Sequence, residues 1–348
     1  MISAIAKTFK GGIHPPDHKS LTAAKAIEVL PPPTRAVIPL QQHIGRMSEA
    51  IVQVGDRVLR GQPISKPAGP VSVSSHASLS GEVKAIESHP HPLGQVVPAV
   101  VIESDGLDEA YVSFDYDPKY LTLSAEEMKN RIADAGITGM GGATFPTHVK
   151  LMPPADKPID TVILNGAECE PYLTSDHRLM LEYPEDIIKG LRIIMKVLGV
   201  QKGFVAIENN KPDAIAKMSE LLKNDPDITL LALKVKYPQG AEKQLIYAAT
   251  QRSVPAGKLP MEVGCVVQNV GTAKAIYDAV ACQKPLIERV VTVTGAVRNP
   301  KNLLVRIGTS FRELIEYCGG FSEEPGKVIS GGPMMGIAQF TLDVPIIK

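Results

Sequence analysis

Apolar residues along the chain follow two rhythms. Between Pro184 and Gly199, the residues Ile187, Ile188, Leu191, Ile194, Met195 and Leu198 recur at helical spacing, with proline at a favoured opening and glycine as the stop. Ser124 and Glu127 form a capping-box pattern ahead of Met128, Ile132 and Ala135, which share one face, and Gly136 closes that helix. Short continuous apolar runs stand between such stripes. Val162-Ile163-Leu164, Phe204-Val205-Ala206-Ile207 and Leu230-Leu231-Ala232-Leu233 read as buried strands, with a helix beginning near Asn210-Lys211-Pro212 between the last two. The stretch from 105 to 285 therefore carries an α/β signature.

The flanks differ. From Pro31-Pro32-Pro33 to about residue 102 the pattern is one of short strands with frequent Gly and Pro punctuation. Beyond Lys284-Pro285 it is strand-rich again, with Val290 to Val293, then Leu303 to Val305, then a short helix from Ser310 to Cys318 closed by Gly319-Gly320. These shifts divide the chain into an arm (1–30), a strand-rich unit (31–104), an α/β unit (105–285) and a tail (286–348). No internal repeat or low-complexity segment is visible.

At 348 residues and 44% hydrophobic, the chain can bury a large core spread over two or three domains. Its 37 basic and 37 acidic residues cancel, so charge supplies no reason to expect nucleic acid or an anionic membrane as partner. No apolar run approaches the roughly 18 residues needed to span a bilayer, and Met1 to Lys10 lacks the hydrophobic core of a signal peptide, so a soluble chain is expected.

Cys169, Cys265, Cys282 and Cys318 are far apart, and no C-x-x-C occurs, so spacing predicts neither a zinc site nor an iron-sulfur cluster. Cys169 lies between Glu168 and Glu170, whose charge opposes thiolate formation and argues against a nucleophile. Pro15 and Pro16 break any helix that would present His14 and His18 together, and His89-Pro-His91 reads as a rigid loop.

Two stretches about twenty residues apart carry the candidate chemistry: Gly139-Met-Gly-Gly-Ala-Thr-Phe-Pro-Thr-His-Val-Lys150 and Asn165-Gly-Ala-Glu-Cys-Glu-Pro171. Gly139, Gly141 and Gly142 let backbone N–H groups approach an anion, Lys150 could neutralise a phosphate, and Phe145 could cover an aromatic ring. A dinucleotide-binding turn is excluded because Thr144 stands where its third glycine belongs and a helix, not a strand, precedes the loop. A P-loop is excluded because no Gly-Lys-Ser/Thr follows. On pattern alone a phosphate cradle and a plain glycine-rich surface turn remain equally open, and Glu168 and Glu170 could simply be solvated.

The two stretches resemble the flavin-binding fold of the 51 kDa NADH-oxidising subunit of respiratory complex I, where a G-x-G-G-A-x-F-P-T-x-x-K loop precedes N-x-x-E-x-E-P. The wider chain, including Gly11-Gly12-Ile13-His14-Pro15-Pro16, more closely resembles the RnfC (RsxC) family of the Rnf electron-transport complex. The resemblance implies an α/β multidomain protein: an amino-terminal barrel-sandwich of biotinyl/lipoyl type, a central Rossmann-like FMN/NADH domain and a carboxyl-terminal β-grasp module of the soluble-ligand-binding (SLBB) kind. Val54 to Pro63 and Ser80-Gly81-Glu82-Val83 fit the sandwich. Gly69 to Ala77, where a swinging-arm carrier would present its lysine, contains none, so no lipoyl or biotinyl group is expected.

The same resemblance implies noncovalent FMN with NADH stacking on it, and hydride transfer that needs no side-chain nucleophile. Gly139, Gly141, Gly142 and Lys150 would hold the flavin phosphate and ring edge, Asn165 and Glu168 would meet ribityl or ring atoms, and Glu170 would lie on the nicotinamide side. Gly240, Glu242, Asn269 and Thr272 are secondary candidates; apart from the resemblance they read as ordinary helix starts. Met140, Ala167 and Ala241 replace the Arg, Asp and Glu usual in the complex I protein, which thins the nicotinamide contacts more than the flavin contacts.

Partners implied are NAD(H) and the other components of the Rnf complex, including its iron-sulfur component RnfB, with the chain held peripherally at the cytoplasmic face of the membrane through them. Family members normally continue into a ferredoxin-like module with [4Fe-4S] motifs; here the sequence stops at Val344-Pro345-Ile346-Ile347-Lys348 and reads as a piece lacking that module, so no metal is expected in this chain. A non-catalytic docking subunit and a cobalamin-reductase-like flavoprotein are the alternatives.

Overall fold

The structure, a computed structural model, describes residues 6–348. Strand β1 (Ile27–Val29) comes first, followed by the sandwich strands β2 (Arg35–Pro39), β3 (Glu49–Ala50), β4 (Arg57–Val58), β5 (Ser65–Lys66), β6 (Gly81–Pro90) and β7 (Val96–Ser104). Antiparallel order β2-β7-β6-β4, with β3 against β5, encloses a core of Ile38, Ile64, Leu79, Val83, Val100 and Ile102. Two expectations for this unit need correction. His89 and Pro90 are not part of a rigid loop but end the long strand β6, opposite Val97 and Val96, and only His91 begins the turn. The stretch 69–77, where a carrier would present its lysine, is not held out to solvent: Ser72, Val73, Ser75, His76 and Ala77 are buried, and Ser78 just beyond donates to Ile307 O at 2.5 Å in the tail.

The central unit begins with α1 (Ala125–Asp134), whose Ser124–Glu127 capping box forms as expected, and the short α2 (Thr147–Lys150). Then β8 (Thr161–Gly166), α3 (Ser175–Glu182), α4 (Pro184–Leu198), β9 (Lys202–Glu208), α5 (Pro212–Leu221), β10 (Ile228–Leu233), α6 (Glu242–Thr250), β11 (Cys265–Asn269) and α7 (Val270–Cys282) alternate. All four strands run parallel in the order β10-β9-β8-β11.

Strand periodicity splits the apolar runs between two faces: Val162 and Leu164 pack under α1, α4 and α7, while Ile163 packs with Leu245 and Ile246 of α6. Burial on both faces explains why these strands read as unbroken apolar runs. The chain steps outward from β8 to β10 and then returns to place β11 on the other side of β8. The crevice at the carboxyl ends of β8 and β11 is therefore a topological switch point, the usual ligand position in such sheets.

The tail contributes β12 (Glu288–Val293), β13 (Lys301–Arg306), α8 (Phe311–Tyr317), β14 (Ile329–Ser330) and β15 (Ile337–Ala338). Its three-stranded sheet has the order β1-β13-β12, with β1 parallel to β13. Part of the amino-terminal arm is thus an integral strand of the carboxyl-terminal module. Earlier residues of the arm follow the central sheet: Lys7 bridges to Leu233 and Ile13 to Tyr237.

Candidate functional site

The glycine loop is pinned at both ends. Gly139 N–H donates to Phe145 O at 2.9 Å, and Met140 N–H donates to Thr272 Oγ1 at 2.9 Å, so a buried threonine on the first turn of α7 sets the loop's height. Gly142 has φ 125, a conformation open to glycine, and Thr144 has φ 45. A Cβ at Gly141 would stand 3.1 Å from Asn269 Cβ, so the loop passes tightly over the end of β11.

The acidic loop follows β8 directly. Asn165 Oδ1 accepts from Ala167 N–H at 3.1 Å, and its Nδ2 donates to Gly240 O at 2.8 Å. Glu168, at φ 49, turns its carboxylate onto the amino end of α3 and accepts from Asp176 N–H at 2.7 Å and His177 N–H at 3.3 Å, a charge-assisted cap. Glu170 Oε2 accepts from Met334 N–H at 3.0 Å, while its Oε1 is buried with no partner. Two lysines clamp the loop's backbone. Lys19 Nζ donates to the carbonyls of Glu168 and Glu170 at 2.9 Å each and of Leu173 at 2.5 Å, and Lys211 Nζ donates to Ala167 O at 2.7 Å.

The third wall comes from β11. Asn269 caps α7, its Oδ1 accepting from Gly271 N–H at 2.8 Å and Thr272 N–H at 3.3 Å, while its Nδ2 donates to Asp176 Oδ2 at 2.7 Å. Gly240 N–H reaches Cys169 Sγ at 3.3 Å. Burial pushes the Cys169 thiol up, partly offset by that N–H, with the charges of Glu208 and Glu170 adding to the rise. Of the two flanking glutamates, Glu170 acts in the expected direction, and burial rather than charge is the leading cause.

These walls enclose a cavity of about 1850 Å³, also faced by the sandwich unit and the tail. A single drug-sized ligand needs roughly 300–1,000 Å³, so there is room for a flavin mononucleotide and part of a second nucleotide. Gly141, Gly142, Asn165, Glu168, Glu170, Gly240 and Asn269 line it. Gly139, Phe145, Lys150, Glu242 and Thr272 stand behind the wall, and Lys150 Nζ pairs with Glu242 Oε1 at 2.7 Å. The narrow approach at Gly141 and the unpartnered Glu170 oxygen suit a polar, flat ligand such as FMN.

Sequence reasoning missed several charged groups here. Asp176 lines the cavity with its acidity weakened, its pKa pushed up to about 7 by burial and then by the Glu168 charge. Glu208, fully buried behind the acidic loop, is raised to about 7 by burial despite Lys211 at 3.6 Å. Arg289 of β12 and Lys19 of the arm lie outside the two motifs, and nothing in their local sequence marks them. Asp176 did have a signal, since Thr174-Ser175-Asp176 is a helix-start pattern.

Among the described residues no group of His, Cys, Asp and Glu could hold a metal ion, and no helix is long and apolar enough to cross a membrane.

Three family models match the chain: the RnfC barrel sandwich hybrid domain over residues 7–107, the Nuo51 FMN-binding domain over 132–278 and the SLBB domain over 290–338. The C component of the proton-translocating ferredoxin:NAD(+) oxidoreductase complex of Clostridium ljungdahlii is 53% identical, covering 98% of this chain and 75% of that one. Its counterpart from the Na(+)-translocating complex of Acetobacterium woodii is 51% identical, covering 98% and 77%. The NAD+-reducing [NiFe]-hydrogenase in its air-oxidised state shares the fold at a TM-score of 0.55 and 22% identity, over 67% of this chain and 46% of that one. The barrel-sandwich, flavin-domain and SLBB architecture expected from sequence is therefore present, and the chain belongs to the RnfC family of the ion-translocating ferredoxin:NAD(+) oxidoreductase (Rnf) complexes.

Proposed function

We propose that the chain is the flavoprotein component that exchanges hydride between NAD(H) and noncovalently bound FMN within such a complex. The observation that supports this most is the convergence of the glycine loop, the acidic loop and the capped start of α7 on one cavity at the sheet's switch point. FMN, when bound, supplies the hydride-accepting centre. The protein's tasks are orientation and electrostatics. Gly141 and Gly142 offer close backbone approach, Asn165 and Glu168 a polar edge for ribityl or ring atoms, and Glu170 a carboxylate toward the nicotinamide. Gly240 and Asn269 complete the wall; Gly139 and Thr272 hold the loop, and Phe145, Lys150 and Glu242 back the ring edge. The four-segment division at 30, 104 and 285 belongs to this reading. So do association with the other components of the complex, the iron-sulfur RnfB among them, and a peripheral position at the cytoplasmic face.

The test uses the absence of tryptophan, which leaves flavin absorbance and fluorescence free of competing signal. The parent chain is expected to bind FMN, and Gly141→Val, already tight against Asn269, to bind it at least tenfold more weakly. Anaerobic NADH should bleach the bound flavin in preference to NADPH, since neither loop carries an Arg/Lys run in its sequence to receive a 2′-phosphate. A parent chain that takes up no FMN would favour the docking-subunit reading instead.

A further inference from the structure

We propose that Arg289, on the first strand of the carboxyl-terminal module, is the cation that receives the phosphate of the bound flavin. The inference rests on the flavin reading above and revises where the charge comes from. Lys150, the cation nominated by the loop motif, is paired with Glu242 at 2.7 Å and does not face the cavity. A phosphate monoester carries close to two negative charges at neutral pH and needs a cation that is not already neutralised.

Most cations on the cavity wall are spent. Lys274 pairs with Asp278 at 2.8 Å and Lys284 with Glu288. Lys348 donates to the carbonyls of Ser74 and Gly136 at 2.6 and 2.8 Å, and burial lowers its pKa to about 7. Lys327 lies exposed at the rim. Arg289 is different. Among the described residues it has no carboxylate within ion-pair distance; its single side-chain hydrogen bond runs from Nη1 to Ile347 O at 3.3 Å, and its Nε is buried with no partner. A guanidinium carries five N–H donors, and one long bond leaves most of them unused.

Leaving such a group unpaired in a protein wall is costly, and an anion that completes it recovers that cost. The planar fork also matches two phosphate oxygens at once, which a lysine cannot do. Asp176, whose carboxylate accepts from Asn269, the α7 cap beneath Gly141, lines the same cavity as Arg289. Burial pulls the Arg289 pKa below its ordinary value and Asp176 opposes this. The SLBB module would then be part of the nucleotide site rather than packing beside it.

Riboflavin, which is FMN without its phosphate, isolates the contact. Both ligands are titrated into the parent chain and into Arg289→Gln, Arg289→Lys and Lys150→Met, following flavin fluorescence. The parent is expected to prefer FMN. Arg289→Gln should lose roughly ten- to a hundredfold in FMN affinity while binding riboflavin as before. Unchanged riboflavin binding also reports an intact fold. Arg289→Lys should keep part of the preference, and Lys150→Met should weaken both ligands alike. The proposal is overturned if Arg289→Gln keeps the parent's ratio, if it weakens both ligands equally, or if Lys150→Met is the variant that erases the preference. A kept ratio with a raised KM for NADH would assign the arginine to the dinucleotide's phosphates instead. Failure of the flavin reading itself has a separate signature, a parent chain that binds neither ligand, and takes this assignment with it.

Discussion

Single contacts decide how firmly the site is held. Thr272 Oγ1 is the acceptor that holds Met140 N–H, so Thr272→Val keeps the shape of the side chain and removes the bond. We expect a loss of about 1 kcal/mol in FMN binding, roughly fivefold in affinity by fluorescence titration, with little change in melting temperature. Glu208 makes a prediction about pH. Its pKa rises from 4.5 unfolded to about 7 folded, so between those values the native state holds a proton that the unfolded state has released. Stability therefore falls as pH climbs through that window and levels off above it, by an amount on the order of 3 kcal/mol. Glu208→Gln should flatten that slope in melting curves recorded from pH 4.5 to 7.5; an unchanged slope would remove Glu208 as its source. Asp176, shifted in the same direction, contributes to whatever slope remains.

Among the elements, α4 crosses α7 at very close range. A Cβ added at Gly190 would lie 1.9 Å from Ala273 O, so the helices touch backbone to backbone there. Since α7 carries Asn269 and Thr272 at its start, this crossing also fixes one wall of the site. Gly190→Ala should destabilise by about 3 kcal/mol, seen in thermal unfolding, because neither backbone can yield locally. The helical stripe of α4 was plain in the sequence, and Pro184 and Gly199 bound it as expected. Gly190 was not legible: a glycine inside a helix pattern marks a close approach only once its neighbour is known.

For the whole molecule, the amino-terminal arm joins parts that the sequence keeps far apart. It bridges the central sheet through Lys7, clamps the acidic loop through Lys19 and adds β1 to the tail's sheet. Lys19→Met removes three hydrogen bonds to carbonyls that curve around a loop containing two non-glycine residues at positive φ, Glu168 and Tyr172. Amide hydrogen exchange across residues 167–174 should accelerate about tenfold or more while the β9 and β10 amides remain protected. Equal acceleration in both regions would mean global destabilisation and not release of the loop.

Local structure was legible in the sequence alone. The Ser124–Glu127 box, the Asn269 cap, the apolar runs of β8 to β10 and the glycine-rich and acidic loops all depend on neighbours within a few residues, and such patterns survive in a one-dimensional reading. Two motifs about twenty residues apart were enough to indicate the flavin-binding fold, and the wider chain, Gly11 to Pro16 included, indicated the family. Tertiary structure decided what depends on distance across the fold. It placed β11 beside β8 and so opened the crevice at a switch point. It turned Lys150 toward Glu242 and left Arg289 facing the cavity. It buried Glu208 and Asp176 until burial outweighed their ordinary acidity. It also made Ile27–Val29 a strand of a module whose other strands lie more than 250 residues later, at Glu288–Val293 and Lys301–Arg306. The physical reason is the same in each case: capping and periodicity are short-range, whereas charge pairing, desolvation and sheet order depend on which distant residues come into contact.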